Sequence, residues 1–304
     1  MDIEYLCFSV PSIDGTDDII HDGDDENTIW IKTKDRELRE TAEQNNMSIV
    51  FDRTTKKFYK LGEEFDISGK VIFPRSHIAY EKELISNILE QGGIPIETME
   101  DYDKIIYWPN FIKPVYRKLV VTTYKEFIEN AESYRTMFQR IFLKTAIKSR
   151  IRHILTAFGT INIEGEDFFF TKPPLFDLKK DDTIFLSEAF KPISDPENDM
   201  SCKEYRVFVV NDSLLSISRS YVDYETQVPE AVTAFAELQI KRISKVPEFP
   251  SSYVLDIGQV LMDGKEVIDM IEFNPICSSG LEVSHKLVEE ILKRRNAPKQ
   301  FVKK

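Results

Sequence analysis

The residues 253–282, YVLDIGQVLMDGKEVIDMIEFNPICSSGLE, carry the clearest chemistry in the chain. Asp256 lies on one apolar strand, Asp263-Gly264 marks a turn, and Glu272 and Asn274 stand two residues apart on a second strand. Side chains alternate across a strand, so Glu272 and Asn274 point to one face. Three oxygen ligands with no histidine or cysteine among them suit a hard cation such as Mg2+. Mg2+ held by a few carboxylates keeps positions open for phosphate oxygens, so the set reads as a nucleotide site. An ordinary hairpin with solvent-facing acids fits the same residues. Asn274-Pro275 tips the reading, because proline ends the strand and leaves an amide beside a carboxylate there.

Register decides whether the three can meet. A two-residue turn at Asp263-Gly264 pairs Met262 with Lys265 and sets Asp256 opposite Ile271, facing away from Glu272. One residue of slip flips every side chain. The metal site therefore needs an odd loop, most simply a three-residue turn with a bulge.

Cationic residues that suit phosphate lie upstream. Lys144 ends the apolar strand Ile141-Phe142-Leu143, and Lys148 follows four residues later, within a basic segment holding Arg135, Arg140, Arg150 and Arg152. A lysine at a strand end is a compact point charge suited to an anion. No glycine-rich phosphate loop is present, so side chains would hold the phosphates. A solvated basic face accounts equally for Lys148, Arg150 and Arg152.

A second hairpin runs from Glu204 through Arg206, turns at Asn211-Asp212 and returns to Arg219. With a two-residue loop, Glu204 lies opposite Arg219 and Arg206 opposite Ile217, all on one face. Glu204 and Arg219 can pair with each other. Arg206 has no protein partner in that register, and an unpaired cation on a half-apolar face is costly. A phosphate or carboxylate ligand is therefore expected for Arg206. Between these elements, Glu188 follows the strand Phe185-Leu186; it suits an adenine or ribose contact and an exposed loop position equally.

The elements that must position these groups follow from pattern. Strands are expected at 5–10, 28–32, 48–52, 58–61, 71–73 (stopped by Pro74) and 94–96. Helical spacing covers about 35–45 and 80–91, the latter ended by Gly92-Gly93. Strand, helix, strand in that order predicts a small parallel α/β layer. Thr122 or Thr123 caps a helix reaching about Met137, with Glu126 placed for a capping box. Strands follow at 141–144, 161–163, 167–171, 183–186, 205–210 and 214–218, and Ser284 caps a closing helix. The acidic run 14–27 reads as a loop, and the tail NAPKQFVKK as frayed.

With 304 residues, the chain has room for two or three domains. Its 42% hydrophobic and 30% charged content is that of a globular protein. No apolar run approaches the length of a membrane span, and the N-terminus lacks the pattern of a signal peptide. A net charge of −12 disfavours nucleic acid as a partner. Three dispersed cysteines, Cys7, Cys202 and Cys277, fit a reducing, cytoplasmic setting rather than a disulfide framework. Cys277 reads as a buried apolar residue rather than a nucleophile.

A strand lysine, a hinge acid, a Glu-x-Arg hairpin, then Asp and Glu-x-Asn, in this order, resemble the ATP-grasp superfamily. The similarity is to its divergent clade named for two arginines and a lysine, which includes the eukaryotic cell-division-cycle regulator of translation-initiation factor assembly. It covers about residues 67–282, with Glu272-Phe273-Asn274-Pro275 and Ser278-Ser279-Gly280 its most specific pieces. The resemblance implies an α+β fold in which two lobes enclose ATP, preceded by a small α/β pre-grasp domain. Domains are expected at 1–66 (an N-terminal extension), 67–118 (pre-grasp) and 119–304, the last with lobes at about 119–187 and 188–304.

By the same resemblance, Lys144, with Lys148 nearby, would contact the α/β-phosphates. Glu188 would sit at the nucleotide hinge, and Glu204 is expected among the cofactor-binding residues with Arg206. Arg206 and Arg219 would bind the γ-phosphate or an acyl-phosphate, and Asp256, Glu272 and Asn274 would hold Mg2+. The loop 172–182, where a glycine-rich lid is usual, has Pro173-Pro174 and no glycine, so Gly159 or Gly165 would serve instead. The implied reaction is ATP-dependent amide ligation on a protein or peptide carboxylate and amine. Arg75, at a strand end, would bind the substrate carboxylate or form a surface salt bridge. Trp108 would line a peptide groove or pack in the core. An ATP-gated clamp on a protein partner that makes no bond keeps the same ligands. A phosphotransferase is disfavoured, since H-R-D and D-F-G are absent.

Overall fold

The computed structural model describes the backbone of residues 2–11, 26–76, 80–138, 140–145, 160–162, 179–188, 191–192, 194–195, 198–220, 227–262, 264–279 and 284–296. Lys148, Arg150, Arg152, Gly159, Gly165, the expected strand at 167–171 and most of the loop 172–182 lie outside these residues. So do the acidic run up to residue 25 and the tail after Asn296.

The first layer is a six-stranded sheet. It contains β1 (Tyr5–Val10), α1 (Glu26–Gln44), β2 (Ser48–Asp52), β3 (Lys57–Lys60), β4 (Glu63–Glu64), β5 (Val71–Arg75), α2 (Glu81–Glu90) and β6 (Ile94–Pro95). The strand order is β4-β3-β2-β1-β5-β6, with β1 parallel to both β2 and β5, and β5 parallel to β6. The boundary expected after residue 66 thus falls inside one sheet: β1 lies between β2 and β5. Two local expectations also change. Residues 28–32, strand-like in isolation, belong to α1, and Pro74 sits within β5 instead of ending it.

Alternation along β1 explains why this sheet is covered on both sides. Leu6 and Phe8 face a core shared with Leu38 and Ala42 of α1, whereas Cys7 packs with Ile49, Phe51, Leu84 and Ile88 on the α2 side. A helix α3 (Met99–Ile106), opened by a Thr98–Asp101 capping box, and a short 3-10 turn (Trp108–Asn110) lead out of this layer.

The small lobe contains β7 (Leu119–Thr123), α4 (Tyr124–Glu129), α5 (Ala131–Met137), β8 (Arg140–Thr145), β9 (Thr160–Asn162) and β10 (Thr183–Glu188). Its sheet runs β7-β10-β8-β9 over a core of Phe127, Tyr134, Phe138, Leu143, Ile184 and Leu186. Thr123 caps α4 by accepting from the Glu126 amide at 3.1 Å.

The large lobe begins with β11 (Lys191–Pro192) and a two-stranded ribbon of β12 (Ser194–Asp195) and β13 (Asn198–Cys202). It continues through β14 (Glu204–Val210), β15 (Ser213–Arg219), α6 (Glu230–Ile243), β16 (Tyr253–Met262), β17 (Lys265–Asn274) and α7 (Ser284–Asn296). Its sheet runs β11-β16-β14-β15, with β17 also on β16.

One face of this sheet (Phe208, Val210, Leu215, Val254) packs with Leu287 and Val288 of α7 and with Leu6, Phe8 and Phe73 of the first layer, in a single core. The opposite face packs on α6 and an aromatic group of Trp108, Phe249, Tyr253 and Phe273, whose rings lie 5.0–5.6 Å apart. No helix among the described residues is long and apolar enough to cross a membrane.

Candidate active site

The hairpin β16–β17 brings the three oxygen-bearing residues together by a route the turn alone does not provide. Met262 pairs with Lys265, so the loop has two residues, and Gly264 adopts a left-handed φ of 75°. The ladder holds this register as far as Ile257 opposite Met270 and then shifts, so that Asp256 faces Glu272 and Val254 faces Asn274. Ile271 is the extra residue of a β-bulge. The parity problem is solved within the strand, not by the three-residue turn expected from the sequence.

The side chains meet accordingly. Asn274 Nδ2 donates to Asp256 Oδ2 at 2.8 Å and to Glu272 Oε1 at 3.1 Å. Gly258 makes room for the bulge, since a Cβ there would lie 2.7 Å from Ile271 Cδ1.

A buried arginine that the sequence reading missed closes the bulge from behind. Arg117, just before β7, donates from Nη2 to the Met270 carbonyl at 2.9 Å and to the Ile271 carbonyl. Burial lowers its pKa to about 10, and neighbouring Asp269 works against that shift. The carboxylate of Asp269 also accepts the amides of Val115 (3.0 Å), Tyr116 (3.4 Å) and Arg117 (3.3 Å).

On β14, Arg206 stands opposite Asp256 and makes a bidentate pair with it, Nε to Oδ1 and Nη2 to Oδ2, both 2.9 Å. The sequence reading gave Arg206 no protein partner; the neighbouring strand β16, distant in sequence, supplies one. The β14–β15 register also differs from expectation. Asn211-Asp212 is the two-residue loop, with φ of 52° and 55°, but a shift at Phe208/Val209 pairs Arg206 with Ser218 and Tyr205 with Arg219. Glu204 therefore lies opposite Gly258 on β16, not opposite Arg219, and Ser220 N donates to its carbonyl at 2.8 Å. Register partners share a face, so Arg219 emerges on the side of the sheet away from Arg206.

The other expected site residues are placed less completely. Lys144 is on β8, opposite Phe185, and its side chain lies outside the described residues, as does all of Lys148. Glu188 is the last residue of β10, half-buried, at the crossing from the small lobe to β11 and β16.

Arg75 makes the salt bridge that was the alternative to substrate binding, with Asp35, but from a buried position. Only 6% exposed, it donates to the carbonyls of Ile276 (3.1 Å) and Ser279 (2.6 Å) and to Asp35 at 2.9 Å, pinning the loop after β17 to the first layer. Glu97 grips the same loop, accepting the amides of Ile276 and Cys277 at 3.0 Å each. Trp108 is a core residue, its ring 5.1 Å from that of Phe273 and tilted 46° to it. Cys277 is wholly buried, and burial drives its thiol pKa well up.

The face therefore carries two carboxylates, one amide and one guanidinium. Among the described residues no group of three His, Cys, Asp or Glu gathers in a metal-binding arrangement. Two carboxylates and an amide fit a hard cation whose remaining positions go to phosphate and water, not a transition metal.

Residues 170–294 match a family model for the ATP-grasp domain, the third family of the clade named for two arginines and a lysine. Over those residues the chain is similar to an ATP-grasp domain of that divergent clade. Its α+β fold is likewise that of ATP-grasp ligases of known structure. D-alanine–D-alanine ligase from Bacillus anthracis, complexed with ATP, is 10% identical with a TM-score of 0.53, over 96% of this chain and 97% of that one. D-alanyl-alanine synthetase A from Vibrio cholerae is 12% identical with a TM-score of 0.51, over 96% and 98%. The ATP-grasp ligase PsnB, complexed with a minimal precursor variant, Mg and ADP, is 12% identical with a TM-score of 0.50, over 97% and 99%. At such identities the likeness is one of ATP-grasp fold. No curated protein matches the sequence.

Proposed function

We propose that this ATP-grasp protein is an ATP- and Mg2+-dependent carboxylate–amine ligase acting on a protein or peptide. The observation that carries the reading is the meeting of Asp256, Glu272 and Asn274 on one sheet face, with Arg206 fixed against Asp256. Asp256, Glu272 and Asn274 would hold Mg2+, which neutralises charge on the phosphates when bound. Lys144, with Lys148 close in sequence, would meet the nucleotide phosphates from the small lobe, and Glu188 would contact the base or ribose where the lobes join.

A substrate carboxylate oxygen attacks the γ-phosphorus and ADP leaves, giving an acyl-phosphate. An amine nitrogen then attacks the acyl carbon, expels phosphate and loses a proton, giving the amide. Arg206 presents a planar guanidinium that suits phosphoryl and carboxylate oxygens alike. The peptide acceptor is supported by one fold relative, PsnB, whose structure holds a precursor peptide.

Two measurements test this. Calorimetry of ATP with and without Mg2+ should give metal-dependent affinity; its absence removes the reading. ADP release should rise only when a peptide carboxylate and an amine are both supplied. Mg2+-dependent ATP binding without such a rise would favour a clamp that makes no bond.

A further inference from the structure

The bulge at Ile271 is what turns Glu272 and Asn274 toward Asp256, so whatever stabilises the bulge governs the site. An unbulged continuation of the Met262–Lys265 register would place Ile271 opposite Asp256. Glu272 and Asn274 would then turn to the face that holds Phe249, Tyr253 and Phe273. A bulge leaves its extra residue outside the ladder, and buried carbonyls there need another donor.

We propose that Arg117 is a positioning residue for the metal-binding hairpin: by donating to the Met270 and Ile271 carbonyls it holds Glu272 and Asn274 in the register that faces Asp256. The proposal rests on the reading of those three residues as Mg2+ ligands. Its geometry is fixed twice. The guanidinium reaches the carbonyls of the bulge, and Asp269, one residue before Met270, gathers the amides of 115–117 on its carboxylate. Asp269 also accepts the Met270 amide at 2.9 Å, so the strand is tied immediately before the register shift. At 6% exposure Arg117 is sealed from solvent, and water is not at hand to replace it.

The test is ATP affinity of the full chain, by calorimetry with Mg2+ and again with EDTA, alongside the thermal midpoint of the ligand-free protein. Arg117→Ala should lose about tenfold or more of the Mg2+-dependent affinity, as is usual when a group that orients metal ligands is removed, and change by less than about twofold in EDTA. A fold-wide defect would lower both affinities together. That result, or an unchanged Mg2+ titration, overturns the proposal. If Arg117→Ala does not fold, Arg117→Lys decides, since its single ammonium serves the two carbonyls less well. A smaller loss confined to Mg2+ supports the proposal, and wild-type affinity overturns it. Absence of Mg2+-dependent binding in the wild type would instead strike the ligand assignment itself.

Discussion

Arg206 and Asp256 meet through two parallel hydrogen bonds of 2.9 Å, linking β14 to β16 at the centre of the large-lobe sheet. Asp256 is wholly buried and Arg206 is 9% exposed. Removing one member of such a pair strands the other charge, at a cost of roughly 3–5 kcal/mol. Asp256→Ala is expected to lower unfolding free energy by an amount of this order in urea, with divalent metal chelated. The double variant Asp256→Ala/Arg206→Met should regain much of it. Independent, additive losses would show that the two do not act as a unit.

Arg206→Ala leaves the carboxylates of Asp256 and Glu272 on one face without the guanidinium. Mg2+ should then raise the melting temperature of the variant by more than it raises that of the wild type. Turnover should drop by about 10²-fold, the scale seen when one charge-stabilising donor is lost. Equal Mg2+ shifts in the two proteins would separate Arg206 from the proposed Mg2+ site.

Asn274 links both carboxylates through one amide nitrogen. In Asn274→Ala the Mg2+-dependent part of ATP affinity should fall by at least about tenfold, a loss typical even of residues that only orient a ligand. Nucleotide affinity in EDTA should stay as it was. A variant that keeps the wild-type Mg2+ titration would remove Asn274 from the ligand set.

Gly258 leaves space that Ile271 occupies. A methyl group added there meets the far end of the Ile271 side chain at 2.7 Å, so Gly258→Ala should cost about 1–3 kcal/mol by overpacking. Gly258→Ala/Ile271→Ala should be less destabilised than the sum of the single changes. Strict additivity in urea melts would show that the contact does not constrain the bulge.

Glu97 supplies a pH dependence. Burial pushes its pKa from 4.5 up to about 8, the amides of Cys277 and Ile276 pull it down, and nearby Glu81 and Asp101 add to the rise. Between about pH 4.5 and 8 the folded chain keeps a proton that the unfolded chain has released. This group's contribution to stability is therefore complete below that window and is lost as pH climbs through it. Glu97→Gln should flatten the decline in urea midpoint between about pH 5 and 8. An unchanged slope would assign the decline to other groups.

How much of this the sequence revealed depends on distance along the chain. Glu272 and Asn274 share a face by strand alternation alone, and that was legible. The face of Asp256 was not, because a bulge halfway along the hairpin sets it, and the donor to that bulge lies in the segment before β7. Arg206 was misread for the same reason: its partner belongs to a strand added later in the chain.

Local pattern also misled at 28–32, where β-branched residues lie within the 19-residue helix α1. Helix α6 went unassigned although Val232, Ala236, Ile240 and Ile243 mark a buried stripe at helical spacing; that signal was available. The division after residue 66 failed because sheet order is a tertiary fact, invisible to composition.

The N-terminal layer cannot simply be trimmed away. Leu6, Phe8 and Leu38 interlock with Phe73, Phe208, Val254 and Leu287 in a common interior. A fragment starting after residue 66 would present the latter group to water as a wide oily surface, inviting self-association. The opening βαβ unit is thus a wall of the large lobe's interior, and a minimal folded version of the protein has to retain it.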